Sequence, residues 1–429
     1  MMQSFSMRWT CLFLVALAGL CPHPAAAQYK QDPVDQKLNR QRQIAIRYAK
    51  SPSGDPAERK NFDDYLTRYY FPAMTRTDET SLGELGDLRF DLFSQFIWPA
   101  DASLQSDLTA KAYAYSMNVI KGFREYHPAV VYNAVLILGG LDKTYAIEKG
   151  ANQRPAVPLP EANARLAQIV GLGLKGTFSP SMLAGALVGL ERHSRAFAGL
   201  DRDGKRQTFA ALLAVLKQED FPPEVNREVR GWLRMRAAEG LANIGVAGGG
   251  ALEAMTAMIA NDDLHLDNRS RIAALLGQES FKLPEGAASL AAAEAVVALA
   301  SDVAKYERDE ANEFEDLQAG VVRSGGPVIS SSRFEVDPLE GFLTYNRGAL
   351  IAQLMHLKDS LTALAPVAGP RSEALTQMAA ATDKLINVAK DPRGTQDLDV
   401  TLEIDRWAAE IRQLAKPAGA EPEEAIAPL

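Results

Sequence analysis

Apolar side chains recur every three or four residues along almost the whole chain, while alternating and β-branched runs are scarce. This spacing is typical of amphipathic helices that bury one face, whereas strands alternate with a period of two. We therefore predict an all-α fold. In the first third of the chain, Pro, Gly, Asp and Ser residues delimit predicted helices at 33–49, 56–71, 78–97, 103–125 and 129–140.

The helices that follow a proline-rich connector at 152–160 (NQRPAVPLP) are predicted to come in pairs. The pairs are 161–174 with 180–195, 206–217 with 224–244, and 250–260 with 266–278. The first members of two pairs align without a gap at 211–220 (ALLAVLKQED) and 254–263 (AMTAMIANDD), and each ends in an acidic pair. A helix pair that recurs about every 35–50 residues is the sequence signature of an α-solenoid.

The second members share the pattern Arg-x-Ala-x-x-Leu, which begins at Arg236 and again at Arg271. The stretch RMRAAEGLANIG (234–245), followed by GGGALEAMTAMIANDDLHLDNRSRIAALLG (248–277), resembles HEAT repeats, particularly the short HEAT-like repeats also found in phycobiliprotein lyases. The resemblance implies an α-solenoid of HEAT-like helical hairpins with N- and C-terminal helical caps. Because such families are mostly scaffolds, it also implies a protein or peptide partner. The period is lost from Ala287 onward.

These patterns divide the chain into five parts. They are a signal peptide at 1–27, an aromatic-rich N-terminal helical region at 28–151, HEAT-like repeats at 161–280, a C-terminal helical region at 287–415 and a tail at 416–429. Within the C-terminal region we expect a long helix at 287–318 and three more, at 338–364, 371–390 and 398–415, that close as a bundle. The tail (KPAGAEPEEAIAPL) has the composition of a disordered segment.

The first residues have the pattern of a secretory signal peptide. Arg8 precedes an apolar core at 11–20 (CLFLVALAGL), which is followed by an Ala-x-Ala cleavage site within 24–28 (PAAAQ). We predict cleavage before Gln28 and export to the periplasm or the extracellular space. Met7 is an alternative start, since the leader from there is also compact.

Both cysteines, Cys11 and Cys21, lie within this leader, so the exported chain is predicted to depend on its apolar core without disulfides. Anchoring as a lipoprotein through Cys21 is disfavoured because Leu20, which is not small, precedes it. The 54 Asp and Glu residues outnumber the 46 Lys and Arg residues, which argues against nucleic acid and anionic lipid as partners. After the leader, uninterrupted apolar runs stay well below roughly 18 residues, so we expect no stable membrane insertion.

Two short motifs suggest ligands, and each has a simpler interpretation. Residues 171–176 (GLGLKG) match the G-x-G-x-x-G loop of dinucleotide-binding proteins, with Glu191 downstream, but a helical pattern precedes them where a strand is required. Termination of a helix by glycine is favoured. Residues 201–205 (DRDGK) resemble part of a calcium loop, but Gly199 and Ala210 would replace two of its ligands, so a polar turn is favoured.

Metal-binding residues show no clear grouping in the sequence. The four histidines after the leader lie far apart and have no i, i+4 ligand spacing; they are His127, His193, His265 and His356. The acidic run at 307–316 (ERDEANEFED) can bind a divalent cation weakly or attract a basic partner, but a solvated helix face is favoured. We predict no metal, no cofactor and no catalytic residue.

Aromatic residues concentrate between Phe62 and Tyr132. Phe62, Tyr65 and Tyr69 follow one another at i, i+3 and i+7 and therefore form one helical stripe. On an exported protein such a stripe can stack on sugars or anchor a partner. The favoured interpretation is the core of a terminal helical domain that caps a repeat array.

The leading hypothesis is an exported, non-enzymatic helical-repeat scaffold that mediates protein–protein interaction. Five arginines on or near the second helices of the pairs form its predicted interaction surface: Arg230, Arg234, Arg236, Arg269 and Arg271. Pairing of these arginines with acids such as Glu239 and Asp267 is the alternative. A different class, an exported α/α-barrel carbohydrate-active enzyme (hydrolase or lyase), fits the length but requires more Trp and Tyr in long loops. A tetrapyrrole lyase is weaker still, because the exported chain has no reactive cysteine.

Overall fold

The prediction of an all-α fold is confirmed: the computed structural model is about 73% helical, with 16 helices and little strand. It describes residues 29–147, 153–319, 333–336, 343–391 and 395–416. The predicted leader at 1–27 therefore lies outside the described residues, as does the predicted tail beyond Lys416. The chain divides into two compact units, Met1–Ile137 (unit 1) and Leu138–Leu429 (unit 2).

Unit 1 contains a 3₁₀ segment at Gln36–Gln41 followed by short and medium helices. They are α1 (Arg42–Lys50), α2 (Pro56–Tyr65), α3 (Glu79–Gly83), α4 (Leu85–Asp91), α5 (Ala102–Lys121) and α6 (Pro128–Gly140), the last of which ends in unit 2. Aspartates cap three of these helices. The carboxylates of Asp55, Asp78 and Asp101 accept backbone N–H groups of the first turns of α2, α3 and α5.

Two helices of unit 1 continue into π-helical turns, at Leu66–Tyr70 after α2 and at Leu92–Ile97 after α4. The buried ring of Phe96, in the second π turn, lies 6.2 Å from the ring of Tyr65 and 5.1 Å from that of Tyr70. Of the predicted aromatic stripe, Phe62 and Tyr65 are buried in the core and Tyr69 is partly buried.

Unit 2 contains ten further helices and two short antiparallel strand pairs among its described residues. The helices are α7 (Pro160–Leu174), α8 (Pro180–Arg195), α9 (Arg202–Lys217), α10 (Arg227–Ile244), α11 (Ala251–Ile259), α12 (Leu266–Leu275), α13 (Ala287–Gln318), α14 (Arg347–Leu364), α15 (Ser372–Ala389) and α16 (Asp397–Leu414). The strands are β1 (Asp142–Thr144) with β2 (Val157–Pro158), and β3 (Phe334–Val336) with β4 (Leu343–Tyr345).

The helices of unit 2 pack in two rows. Row one runs α7, α9, α11, α13, α16, and row two runs α8, α10, α12, α14, α15, with each helix contacting the next in its row. Successive helices such as α7 and α8, or α9 and α10, also contact each other across the rows. Every helix is therefore held on more than one side, and its apolar stripe is buried between the rows.

Small residues allow the closest helix contacts. A Cβ atom on Gly189, in α8, would lie 2.9 Å from the Cα of Gly139, near the end of α6. A Cβ on Gly240, in α10, would lie 2.7 Å from a methyl carbon of Leu212 in α9. At both positions the neighbouring atoms occupy the space of any larger side chain, so the sequence fixes the approach of these helices.

Helix α13 is long and apolar enough to cross a membrane by length and composition, and 56% of its most apolar window is buried within the structure. It packs against α11, α12, α14 and α16. Its first turns supply buried residues such as Ala292, Val296 and Ala300. This burial is typical of a core helix and accounts for the apolar composition of α13.

Candidate functional site

The five predicted arginines lie on α10 and α12, which are neighbours in row two. Asn226 fixes the start of α10 by accepting the backbone N–H of Val229 at 2.9 Å, and Gly245 ends the helix with a φ of +77°. Arg230, Arg234 and Arg236 of α10 are all partly buried, whereas on α12 Arg269 is buried and Arg271 is exposed. The five arginines therefore do not act as one surface.

Arg230 and Arg234 attach α10 to the segment that precedes it. The Nε atom of Arg230 donates to the carbonyl of Val225 at 2.8 Å, and Nη2 of Arg234 donates to the carbonyl of Gln218 at 2.8 Å. The guanidinium of Arg234 also lies 5.4 Å from the ring centre of Phe221. Burial, and secondarily the charge of Arg230, lowers the pKa of Arg234. Both side chains thus stabilise the connection between α9 and α10.

Arg269 is buried, with only 4% of the residue exposed. Its Nε donates to the carbonyl of Ile259 at 2.7 Å, and its two terminal nitrogens lie 2.7 Å from Asp302 and 3.1 Å from Asp262. These partners belong to α11, α13 and the turn before α12. The guanidinium of Arg269 is therefore occupied by contacts within the protein. This position does not support the prediction that Arg269 contacts a partner.

Arg236, Glu239 and Arg271 form an accessible group that we call the Glu239 network. Nη1 of Arg236 donates to Oε2 of Glu239 at 2.8 Å, and Nη2 of Arg271 lies 3.6 Å from Oε1 of the same carboxylate. The side chain of Arg271 is 46% exposed. The one carboxylate of Glu239 is thus shared by two guanidinium groups.

A tryptophan and a histidine lie beside the Glu239 network. The guanidinium of Arg236 lies 5.5 Å from the ring centre of Trp232, one turn earlier on α10. On α14, the next helix of row two, His356 is half-buried. Burial lowers the pKa of His356, and the charge of Arg271 lowers it further, while Asp359 and Asp267 oppose these effects. The face thus combines two guanidinium groups that share one carboxylate with Trp232 and with a His whose pKa is held down, and Asp267 and Asp359 lie near that His.

The sequence identified the arginines of the Glu239 network but not the groups beside them. In the sequence, His356 stands out only as a candidate metal ligand, and nothing marks Trp232. The repeat pattern ends before α14, so no sequence period places His356 next to Arg271. Their proximity follows from the tertiary packing of α12 against α14.

The other sequence motifs have structural roles. The GLGLKG motif covers the end of α7, where the N–H of Thr177 donates to the carbonyl of Leu172 and Gly176 has a φ of +73°, as in a glycine-terminated helix. Asp201 of DRDGK accepts the N–H of Gly204 at 2.7 Å and caps α9. These geometries agree with the favoured interpretations.

The histidines also occupy separate positions. The Nδ1 atoms of His127 and His265 accept backbone N–H groups at the starts of α6 and α12, whereas His193 is buried and its Nδ1 lies 3.1 Å from Oδ1 of Asn163. Within the described ranges, no group of three or more His, Cys, Asp or Glu residues is placed to hold a metal ion.

The acidic run differs from its prediction at one residue. Glu307, predicted to lie on a solvated helix face, is fully buried and paired with Arg333, so the prediction is wrong for this residue. Glu315 is also engaged, since its carboxylate accepts the hydroxyl of Thr401 on α16 at 2.5 Å. The run lies on the second half of α13, which also has a buried face that includes Glu307, and the local charge pattern does not reveal that face.

No protein-family model, curated protein or solved structure matches this chain.

Proposed function

We propose that this protein is an exported, non-enzymatic helical-repeat scaffold, built of HEAT-like helical hairpins, that binds another protein or peptide through the face around the Glu239 network. The observation that carries the proposal is the sharing of the Glu239 carboxylate by Arg236 and Arg271 on adjacent helices. The partner segment we expect is acidic and carries at least one apolar side chain.

The packing of unit 2 supports the repeat-scaffold part of this proposal. In an α-solenoid, equivalent helices of successive hairpins stack on one another and form two layers. The two rows of unit 2 have this order from α7 to α14. The Arg-x-Ala-x-x-Leu pattern lies at equivalent places on α10 and α12, where Ala238 and Ala273 are buried and Arg236 and Arg271 reach the surface.

The chemistry of the face supports the choice of partner. A guanidinium that shares its carboxylate keeps donors free for a second acceptor, and Arg recognises carboxylates with two parallel hydrogen bonds. Trp, Arg and Met are enriched at protein interfaces, where an aromatic ring beside a cation is a frequent anchor. The half-buried Trp232 provides the apolar contact.

Charge reversal tests the proposal. The double variant Arg236→Glu/Arg271→Glu should lose the proteins that the wild-type chain captures from a cell-envelope extract, as identified by mass spectrometry after mild cross-linking. The matched control is Arg206→Glu on α9, because Arg206 is exposed and pairs only with the neighbouring Asp203. Circular dichroism and the Tm establish that both variants remain folded.

A second variant, Glu239→Gln, should have the opposite effect on the capture of partner proteins. Glu239→Gln frees both guanidinium groups without removing them, so it should retain the captured proteins and increase their recovery. Capture of the same proteins, in the same amounts, by the charge-reversed variant would contradict the proposed face. Loss of capture in the Arg206→Glu control would show that the effect is not specific to it.

A further inference from the structure

An open pocket lies between α1 and α2 of unit 1, and the proposed scaffold function does not use it. Its volume is about 150 Å³. A cavity of about this size holds one six-membered ring, whereas sites for drug-sized ligands begin at roughly 300 Å³. The pocket therefore accepts a single ring and not an extended molecule.

The floor of the pocket is apolar. It is formed by Tyr48 and Phe62, whose ring centres lie 5.0 Å apart and which are only 7% and 2% exposed. The Tyr48 hydroxyl donates to the carbonyl of Ser53 at 3.4 Å. Ile44, which is 50% exposed, extends this apolar surface to the rim. The floor thus offers carbon atoms and no charge to a bound ring.

The rim of the pocket is polar and largely unengaged. It carries the amides of Gln41 and Asn61, the guanidinium of Arg47 and the carboxylate of Glu58. Among the residues that the structure describes, the side chains of Gln41, Arg47 and Asn61 have neither a hydrogen bond nor an ion pair with the protein. Glu58 accepts the Ser53 hydroxyl through Oε2 at 2.6 Å and retains Oε1. Several donors and acceptors therefore converge above an apolar floor.

This combination selects among ligand classes. The charges of Arg47 and Glu58 cancel, so neither a strong anion nor a strong cation is favoured. An apolar ring would cover the amides and the guanidinium without replacing their hydrogen bonds to water, which is costly. A sugar ring fits both surfaces, because its C–H face packs on apolar side chains and its hydroxyls both donate and accept. We propose that this pocket binds one pyranose ring of a neutral sugar.

The proposal is tested by saturation-transfer-difference NMR on the full-length protein. Glucose, galactose, mannose and N-acetylglucosamine are presented separately at millimolar concentration, with benzyl alcohol as an apolar-ring control. We expect transfer to at least one sugar and none to benzyl alcohol. In Asn61→Leu and Arg47→Met the apparent Kd for that sugar should rise about tenfold or more, which corresponds to one or two lost hydrogen bonds.

The variants are chosen so that folding does not confound the result, since Asn61 and Arg47 are exposed. Asn387→Leu is the matched control, because Asn387 is an exposed asparagine on α15 of unit 2 and should leave binding unchanged. The proposal is overturned if no sugar shows transfer, or if benzyl alcohol alone does. It is equally overturned if a sugar binds with the same Kd to wild type, Asn61→Leu and Arg47→Met, because that sugar then occupies another site.

Discussion

Glu307 and Arg333 form an ion pair in the interior of unit 2, with Glu307 fully buried and Arg333 only 4% exposed. The Nε atom of Arg333 lies 3.1 and 3.0 Å from the two carboxylate oxygens, and the Tyr345 hydroxyl donates to one of them at 3.4 Å. Burial raises the pKa of Glu307, while Arg333 and Tyr345 oppose that rise. The pair thereby connects α13 to the chain next to β3.

Removing one member of this pair should destabilise the protein strongly. In Glu307→Gln the buried guanidinium of Arg333 loses its counter-charge, and the loss of a single partner from a buried pair costs about 3–5 kcal/mol. The free energy of unfolding is measured by urea denaturation. Replacement of both residues, as Glu307→Leu/Arg333→Leu, should be less destabilising than either single change. A single change no more costly than Asp203→Asn, in the exposed pair with Arg206, would contradict the buried position.

The buried His193 should make unit 2 sensitive to acid. Burial lowers the pKa of His193 to about 3, and the charge of Arg192 contributes. Between this value and the ordinary value of about 6.5, the unfolded chain binds a proton that the folded chain excludes. The free energy of unfolding should therefore be undiminished above pH 6.5 and fall below it, by up to ~1.4 kcal/mol per pH unit, until pH 3 is reached.

The pH dependence of urea denaturation measures this effect. His193→Gln should flatten the slope between about pH 3 and 6.5, whatever its effect on stability at neutral pH. His265→Gln is the control, because that side chain is exposed and only caps α12. An unchanged slope in His193→Gln would contradict the prediction.

Two tyrosines in the core of unit 1 should respond differently to loss of their hydroxyl. Tyr70 donates to the carbonyl of Leu88 at 2.5 Å, whereas the buried Tyr115 hydroxyl has no hydrogen-bond partner among the described residues. Tyr70→Phe should lower the free energy of unfolding by about 1 kcal/mol, and Tyr115→Phe should be neutral or stabilising. Thermal denaturation of the two variants measures the contrast. Equal losses would show that the Tyr115 hydroxyl also has a partner.

Glycine substitutions test the closest helix approach. Gly189→Ala forces a methyl group to within 2.9 Å of Gly139, so we expect a loss of about 1–3 kcal/mol. Gly171→Ala, at an open position in α7, should instead stabilise by about 0.5–1 kcal/mol through helix propensity. Both are measured by the Tm. A marked loss of stability in Gly171→Ala would indicate that GLGLKG requires its glycines for another reason.

Most helices could be predicted from the sequence, because apolar residues recur at the helical period along the face that each helix buries. The predicted pair at 250–260 and 266–278, for example, corresponds to α11 and α12. The ends of the helices are predicted less accurately. The helix predicted at 224–244 begins at Arg227, because Asn226 provides the cap, and the single helix predicted at 78–97 is divided into α3 and α4 and ends in a π turn. The π turn contains the buried Phe96, whose packing the local sequence does not encode.

The candidate site was partly predictable for a similar reason. Arg236 and Arg271 were found because they recur at equivalent repeat positions. Arg269 is only two residues from Arg271, yet it points into the core, because a shift of two residues rotates a side chain by more than half a helical turn. The pairing of Glu307 with Arg333 depends on a strand pair whose position no periodicity indicates.

Row one of unit 2 ends with α16, the last helix among the described residues, which packs directly against α13. During vectorial synthesis, the long α13 therefore emerges well before the segment that covers its flank. Until then, the flank of α13 that α16 covers stays exposed in the nascent chain. Truncation before Asp397 would leave that flank open, so α13 is shielded only once α16 has been made.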